Sequence, residues 1–236
     1  MEAFHFYCHQ AGPVLCSFYA DSPEAISERL DKLLQTLKDR PLIVNADVQK
    51  GPDMPQLITW SHLKRFMTRI MYQPLLMFPI FARILADLEA GDGRSFYDTV
   101  LAQDPDTSFC SIEVLPPTLP RLEEANGEVY PAVACADGLP NNDTLEDLVD
   151  ILDHYKAISS TAGESFADFR LACIGREVRP KWRFNGPFGG ATSHPILYIA
   201  NTADNVTPMV SARNNSALFP GSVVLTQNSY GVSVPN

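Results

Sequence analysis

Pro195-Ile-Leu-Tyr-Ile-Ala200 is an unbroken apolar run of strand length, the pattern of a strand buried on both faces of a parallel sheet. A polar stretch, Asn201-Thr-Ala-Asp-Asn-Val-Thr-Pro208, follows it. Thr207 can cap, and Pro208 can open, a helix that runs to about Leu218 before Pro220-Gly221. Ser222-Val-Val-Leu-Thr-Gln227 then reads as a second strand. Strand, helix and strand in this order form a crossover unit of a parallel sheet. The spacing puts Asp204 in the loop beyond the carboxyl end of the first strand, where open α/β sheets hold their ligands.

The chain before this unit is punctuated for helices. Ser22-Pro23 is a capped start, followed at helical spacing by Ile26, Leu30, Leu33, Leu34 and Leu37 up to Arg40-Pro41. A second pattern runs from Thr59 to Met71 until Pro74 interrupts it, and a third covers Ile80 to Ala90 before Gly91-Asp-Gly. Residues 1 to about 110 are therefore expected to be mainly helical. Val129 to Ala136 reads as extended chain feeding a turn at Asp137-Gly138. Thr144 and Asp147 spell a capping box for a helix carrying Leu145, Leu148, Val149, Leu152 and Tyr155, and a short helix is predicted over Ser165–Cys173. Residues 175–194 read as a connector anchored by Trp182, Phe184 and Phe188.

Composition removes several classes of function. With 18 basic against 28 acidic residues in 236, the net charge is −10, so no basic surface waits for a phosphate backbone or an anionic lipid. Nucleic-acid binding is not expected. The most apolar stretch, Met71–Leu85, is broken by Pro74 and Pro79 and carries Arg83, which argues against a membrane span. The first residues, Met-Glu-Ala-Phe-His, have neither the basic nor the apolar region of a secretion signal. The five cysteines, Cys8, Cys16, Cys110, Cys135 and Cys173, lack the paired spacing of a zinc site. They read as buried thiols in a reducing compartment, or as two bridges and an odd thiol in an oxidising one. Asn142-Asp-Thr, Asn205-Val-Thr and Asn214-Asn-Ser are glycosylation acceptors if the chain enters the secretory path.

A loop aspartate ahead of a helix is more often a cap or turn residue than a catalytic one. The longer segment Pro195 to Pro208, followed thirteen residues later by Gly221-Ser-Val-Val-Leu, resembles the C-terminal region of the tripeptidyl-aminopeptidase-like (TAP-like) serine hydrolases of fungi and bacteria, an α/β-hydrolase family. Upstream, Cys8-x-x-Ala11-Gly-Pro-x-x-Cys16-x-Phe looks like that family's lid segment, and Ala132-Val-Ala-Cys135-Ala-Asp137 like its post-lid segment. The resemblance implies an α/β class: a partial α/β-hydrolase fold with a mainly helical lid-like region over 1–128 and a C-terminal strand-helix-strand region over 129–236. It implies that Asp204 is the acid of a Ser-Asp-His triad, and that Cys8 pairs with Cys16 and Cys135 with Cys173. It also implies a peptide or small ester substrate, secretion, and no cofactor or metal.

Departures from the family pattern are equally informative. In this fold the triad runs Ser, then Asp or Glu, then His, with the serine on a G-x-S-x-G elbow, and no G-x-S-x-G occurs here. The family's histidine follows the last strand in a Gly-His step, whereas here Val232 follows Gly231. His5, His9, His62, His154 and His194 all precede that strand, and Ser193 and Ser211 lack an elbow. His5 and His9 share a helix face without nearby acids, and Glu123 with Glu124 reads as a solvated loop. The expectation is a chain truncated at both ends relative to the family and without serine-hydrolase turnover of its own. A separately encoded N-terminal hydrolase fragment is one conceivable partner. The alternative is a nonenzymatic binding or interaction module derived from the fold.

Overall fold

A computed structural model describes residues 1–47, 52, 54–103 and 126–232, and the chain divides into two compact units. Cys110, Glu123 and Glu124 lie outside the described residues. The first unit comprises residues 1–42, 59–92 and 184–236, and the second residues 43–58 and 93–183.

Four helices build most of the first unit's core: α1 (Glu2–Leu15), α2 (Pro23–Asp39), α3 (Trp60–Ile70) and α4 (Pro74–Glu89). Ser22 caps α2 by accepting from the Ala25 amide at 3.1 Å, with Pro23 in the first turn as expected. The apolar face of α2, Ile26, Leu30, Leu33 and Leu37, is fully buried. From α3 come Leu63, Phe66, Met67 and Ile70, and from α4 Phe81, Ile84, Leu85 and Leu88. Phe81 joins the layers, meeting Phe4 of α1 at 4.9 Å and Phe66 of α3 at 5.9 Å, both edge to face. Such aromatic pairs each add about 0.5–1.5 kcal/mol beyond their buried area. Arg29 of α2 and Glu89 of α4 close the surface with a forked ion pair, and the guanidinium hydrogen bonds hold the Glu89 carboxyl below its ordinary value.

Pro74 does not interrupt a helix; it opens α4, six residues before the expected start at Ile80. A proline costs nothing in the first turn because its missing N–H would be unpaired there. α1 bends at Gly12, whose φ of +77° and ψ of 176° lie outside the helical region, just ahead of Pro13. The Cys8–Cys16 disulfide spans this bend, with its Cα atoms 5.3 Å apart.

The same unit contains β3 (Leu197–Ala203), α9 (Met209–Ala217) and β4 (Val223–Tyr230). β3 and β4 pair in parallel, from Leu197 opposite Val223 to Ala203 opposite Tyr230, and α9 packs on both strands. The strand-helix-strand reading therefore holds, with β3 running three residues past Ala200, but the expectation of a strand buried on both faces is corrected, since Leu197 and Ile199 are each more than half exposed. Thr207 does not cap α9: Pro208 occupies the N-cap position without a side-chain hydrogen bond. The Thr207 hydroxyl is held by Asp204 instead.

The second unit contains β1 (Leu42–Val44), whose first residue belongs to the first unit, and its partner β2 (Gln56–Ile58). It continues with α5 (Arg94–Thr99), α6 (Asn126–Asp137), α7 (Leu145–Ile158) and α8 (Gly163–Leu171). The α7 capping box forms as expected, the Asp147 amide donating to the Thr144 hydroxyl and the Thr144 amide to the Asp147 carboxylate. The extended reading of Val129–Ala136 is corrected, since these residues are helical within α6. Cys135 of α6 is bonded to Cys173 just beyond α8, and Arg179 donates to the Cys135 carbonyl. Among the described residues, no helix is long and apolar enough to cross a membrane.

Candidate active site

The carboxyl end of the β3–β4 pair holds the buried polar groups of the described core, Asn201 at 3% and Asp204 at 6% exposure. Asp204 is the first residue beyond β3, which is where the crossover reading puts it. One carboxylate oxygen, Oδ1, accepts from the amides of Val206 at 2.9 Å and Thr207 at 2.8 Å. The other, Oδ2, accepts from the Thr207 hydroxyl at 2.7 Å. This is the local hydrogen bonding of an Asx turn, and it fixes the carboxylate's direction.

The neighbouring end of β4 is tied in by three hydrogen bonds. The Gly231 amide donates to the Ala203 carbonyl at 2.9 Å, the Asn201 side-chain amide to the Gly231 carbonyl at 3.0 Å, and the Val232 amide to the Tyr72 carbonyl at 3.3 Å. Asn201 Oδ1 is buried without a hydrogen-bond partner among the described residues. Gly231 has a φ of +94°, and a Cβ there would stand 2.6 Å from Pro74 Cδ and 3.1 Å from the Tyr72 carbonyl oxygen. Both the left-handed backbone and the lack of space demand glycine. Gly231→Ala is expected to destabilise the first unit by about 3 kcal/mol, the sum of strain and overpacking. A urea unfolding midpoint equal to that of the parent chain would refute this account of the β4 end.

The five histidines sit outside the loop that holds Asp204. His5 lies on α1 with Nε2 buried and unpartnered among the described residues. Burial foremost, then the nearby amino terminus, pushes its imidazole below the ordinary value, against the opposing charges of Asp31 and Glu2. His9 Nδ1 lies 3.1 Å from the Ala20 carbonyl oxygen, and its ring stacks on Tyr19. His62 belongs to the α3 capping box. His154 is exposed on α7 in the second unit. His194 precedes β3 while Asp204 follows it, so the seven residues of the strand put about 23 Å between the two ends. Ser193 and Ser211 are exposed. Among the described residues, no three His, Cys, Asp or Glu side chains gather as a metal ion would require.

Both cysteine pairings implied by the resemblance form, Cys8 with Cys16 and Cys135 with Cys173. A feature that sequence reasoning missed is a cavity of about 420 Å³ in the first unit, bounded by α1, α4 and Tyr230. Its residues come from three separate stretches of chain, and no local pattern brings them together.

Comparison with known proteins adds one positive finding. Residues 159–235 match the family model described as TAP-like protein. Neither a curated protein nor a solved structure matches the chain. The match takes in α8, β3, α9 and β4 and leaves the Cys8–Cys16 segment and Ala132–Asp137 outside it. The similarity to TAP-like proteins thus lies in the C-terminal third of the chain, the part that holds Asp204.

Proposed function

We propose that this chain is part of a serine hydrolase in which Asp204 is the acid of a Ser-Asp-His triad, and that the serine and the imidazole are carried by polypeptide outside these 236 residues. The observation that carries the reading is the buried Asp204 carboxylate, oriented by three hydrogen bonds at the carboxyl end of a parallel strand in the TAP-like segment. A carboxylate so placed can orient an imidazole, fix its tautomer and stabilise its charged form while a serine hydroxyl attacks a carbonyl. The reaction is acyl transfer: the serine oxygen bonds to the carbonyl carbon, the imidazole takes the hydroxyl proton and gives it to the leaving amine or alcohol, and water then releases the acid. The substrate is a peptide or a small ester.

The exposed face of the sheet supports completion by further polypeptide. Leu197, Ile199, Val223 and Leu225 stand opposite one another in register, and each is more than half exposed. Parallel sheets are almost always covered on both faces. The two disulfides suit an oxidising compartment, in keeping with secretion. A serine-directed fluorophosphonate probe tests the proposal. The expected result is no labelling of the 236-residue chain alone and labelling once a G-x-S-x-G-bearing hydrolase segment and a histidine following Gly231 complete it. Labelling of the chain alone would place the nucleophile within it. A completed protein that binds ligand yet never labels would favour a nonenzymatic module.

A further inference from the structure

We infer that the cavity of about 420 Å³ in the first unit is a side-chain pocket that takes an aromatic or branched aliphatic group of the substrate, next to the carbonyl that reacts. This names the substrate class of the site proposed above and rests on that reading for the word substrate; the binding itself does not.

Size, chemistry and position carry the inference. Small-molecule sites usually span about 300–1,000 Å³, and a cavity of about 150 Å³ already admits benzene, so the space suits an aromatic ring with part of its backbone. The walls are apolar, with Phe4 from α1 and Leu75, Phe78 and Ala82 from α4. Among the described residues, no Asp, Glu, Lys or Arg lines the cavity, so a charged group would lose its hydration without a counterion from them. Its polar features are few: the phenols of Tyr7 and Tyr230 and the side chain of Gln10. Pro79 also has no N–H to offer the Leu75 carbonyl, which therefore lacks its α-helical donor. Apolar walls with a few polar groups are the usual make-up of a ligand site.

Position ties the cavity to Asp204. Tyr230, which lines it, pairs with Ala203, the last residue of β3, and Asp204 follows Ala203 directly in the chain. Pro74, another wall residue, is packed against Gly231. The Tyr7 and Tyr230 rings meet edge to face at 5.4 Å, and the Cys8–Cys16 bridge pins the α1 wall. The wall is therefore preorganised, and little ordering has to accompany binding.

Isothermal titration of the 236-residue chain, disulfides intact, with N-acetyl-phenylalaninamide, N-acetyl-leucinamide and N-acetyl-aspartamide tests this without any turnover. The two apolar amides are expected to bind at least tenfold more tightly than the aspartate analogue. Ala11 lines the cavity from an exposed position on α1, so Ala11→Trp fills it at little cost to folding and should weaken binding at least tenfold. Leu75→Glu, at a wall residue that is 74% exposed, should do the same through charge. Asp204→Asn should leave the affinity unchanged. Equal binding of all three amides, no binding by a chain with native circular dichroism, or retention of affinity in both variants would overturn the pocket. The two ideas fail separately: apolar binding with an indifferent Asp204 in the complete hydrolase sinks the triad reading alone, and a working triad without apolar binding sinks the pocket alone.

Discussion

Asp204→Asn is expected to lower kcat of the complete hydrolase about 10⁴-fold, the loss seen when a triad aspartate becomes an amide, while KM and the unfolding midpoint stay close to those of the parent. The substitution keeps the shape of the side chain. Its remaining oxygen can still accept from the Val206 and Thr207 amides, and the new NH₂ can donate to the Thr207 hydroxyl, which is able to turn and accept. The negative charge is lost, and with it the preference for the productive imidazole tautomer. A purely structural role would instead show as lowered stability with kcat preserved. The pH profile separates the two further. Removing an adjacent negative charge lowers the pKa of an imidazole, so the acidic limb of kcat/KM should move to lower pH in the variant. Activity within tenfold of the parent, with an unmoved acidic limb, would assign the acid to another residue.

Why the place of Asp204 after β3 could be read from sequence, and its surroundings could not, follows from the range of the interactions involved. The run Pro195–Ala200, the polar loop and Val223–Leu225 encode a parallel crossover through local apolar pattern, and the two strands pair in parallel. The α2 and α7 caps were legible because a cap is a contact between residues three apart. Thr207 shows the limit of such reading. A threonine before a proline suits an N-cap, but a carboxylate three residues earlier competes for its hydroxyl and wins with a charge-assisted bond of 2.7 Å. In α6, Val129, Tyr130 and Val133 favour a strand by propensity, and Pro131 disfavours a helix interior. Tertiary context overrides that preference in a segment whose Cys135 is bonded to a residue 38 positions away. The cavity was illegible for the same reason, because Phe4, Leu75 and Tyr230 are neighbours only after folding.

Replacing both Cys135 and Cys173 by serine is expected to cost the second unit about 4 kcal/mol, the loop-closure entropy released when a 38-residue loop is opened in the unfolded chain. The effect should be large relative to what else holds α6, α7 and α8 together. None of the described residues of α7 is buried, and Leu145, Val149 and Ile158 on it are more than half exposed. The remaining ties combine a Tyr130–Phe169 ring contact at 4.9 Å between α6 and α8 with partly solvated polar ones. Arg170 forks onto Asp143, the Asn141 amide donates to the Arg170 carbonyl at 3.0 Å, and Arg183 donates to the Gly138 carbonyl at 2.9 Å. Exposed ion pairs of this kind contribute at most about 1 kcal/mol each. Gly163 supplies a close backbone contact between α7 and α8, where a Cβ would stand 2.3 Å from the Tyr155 carbonyl oxygen. Urea unfolding with and without reductant, followed by hydrogen exchange resolved along the sequence, checks the claim. Residues 126–174 should lose protection in the double serine variant while α2, α3 and α4 keep theirs, since the four-helix core of the first unit is built from buried apolar side chains and does not include this bridge. Equal protection of residues 126–174 in the two proteins would mean that packing, not the cross-link, holds those helices.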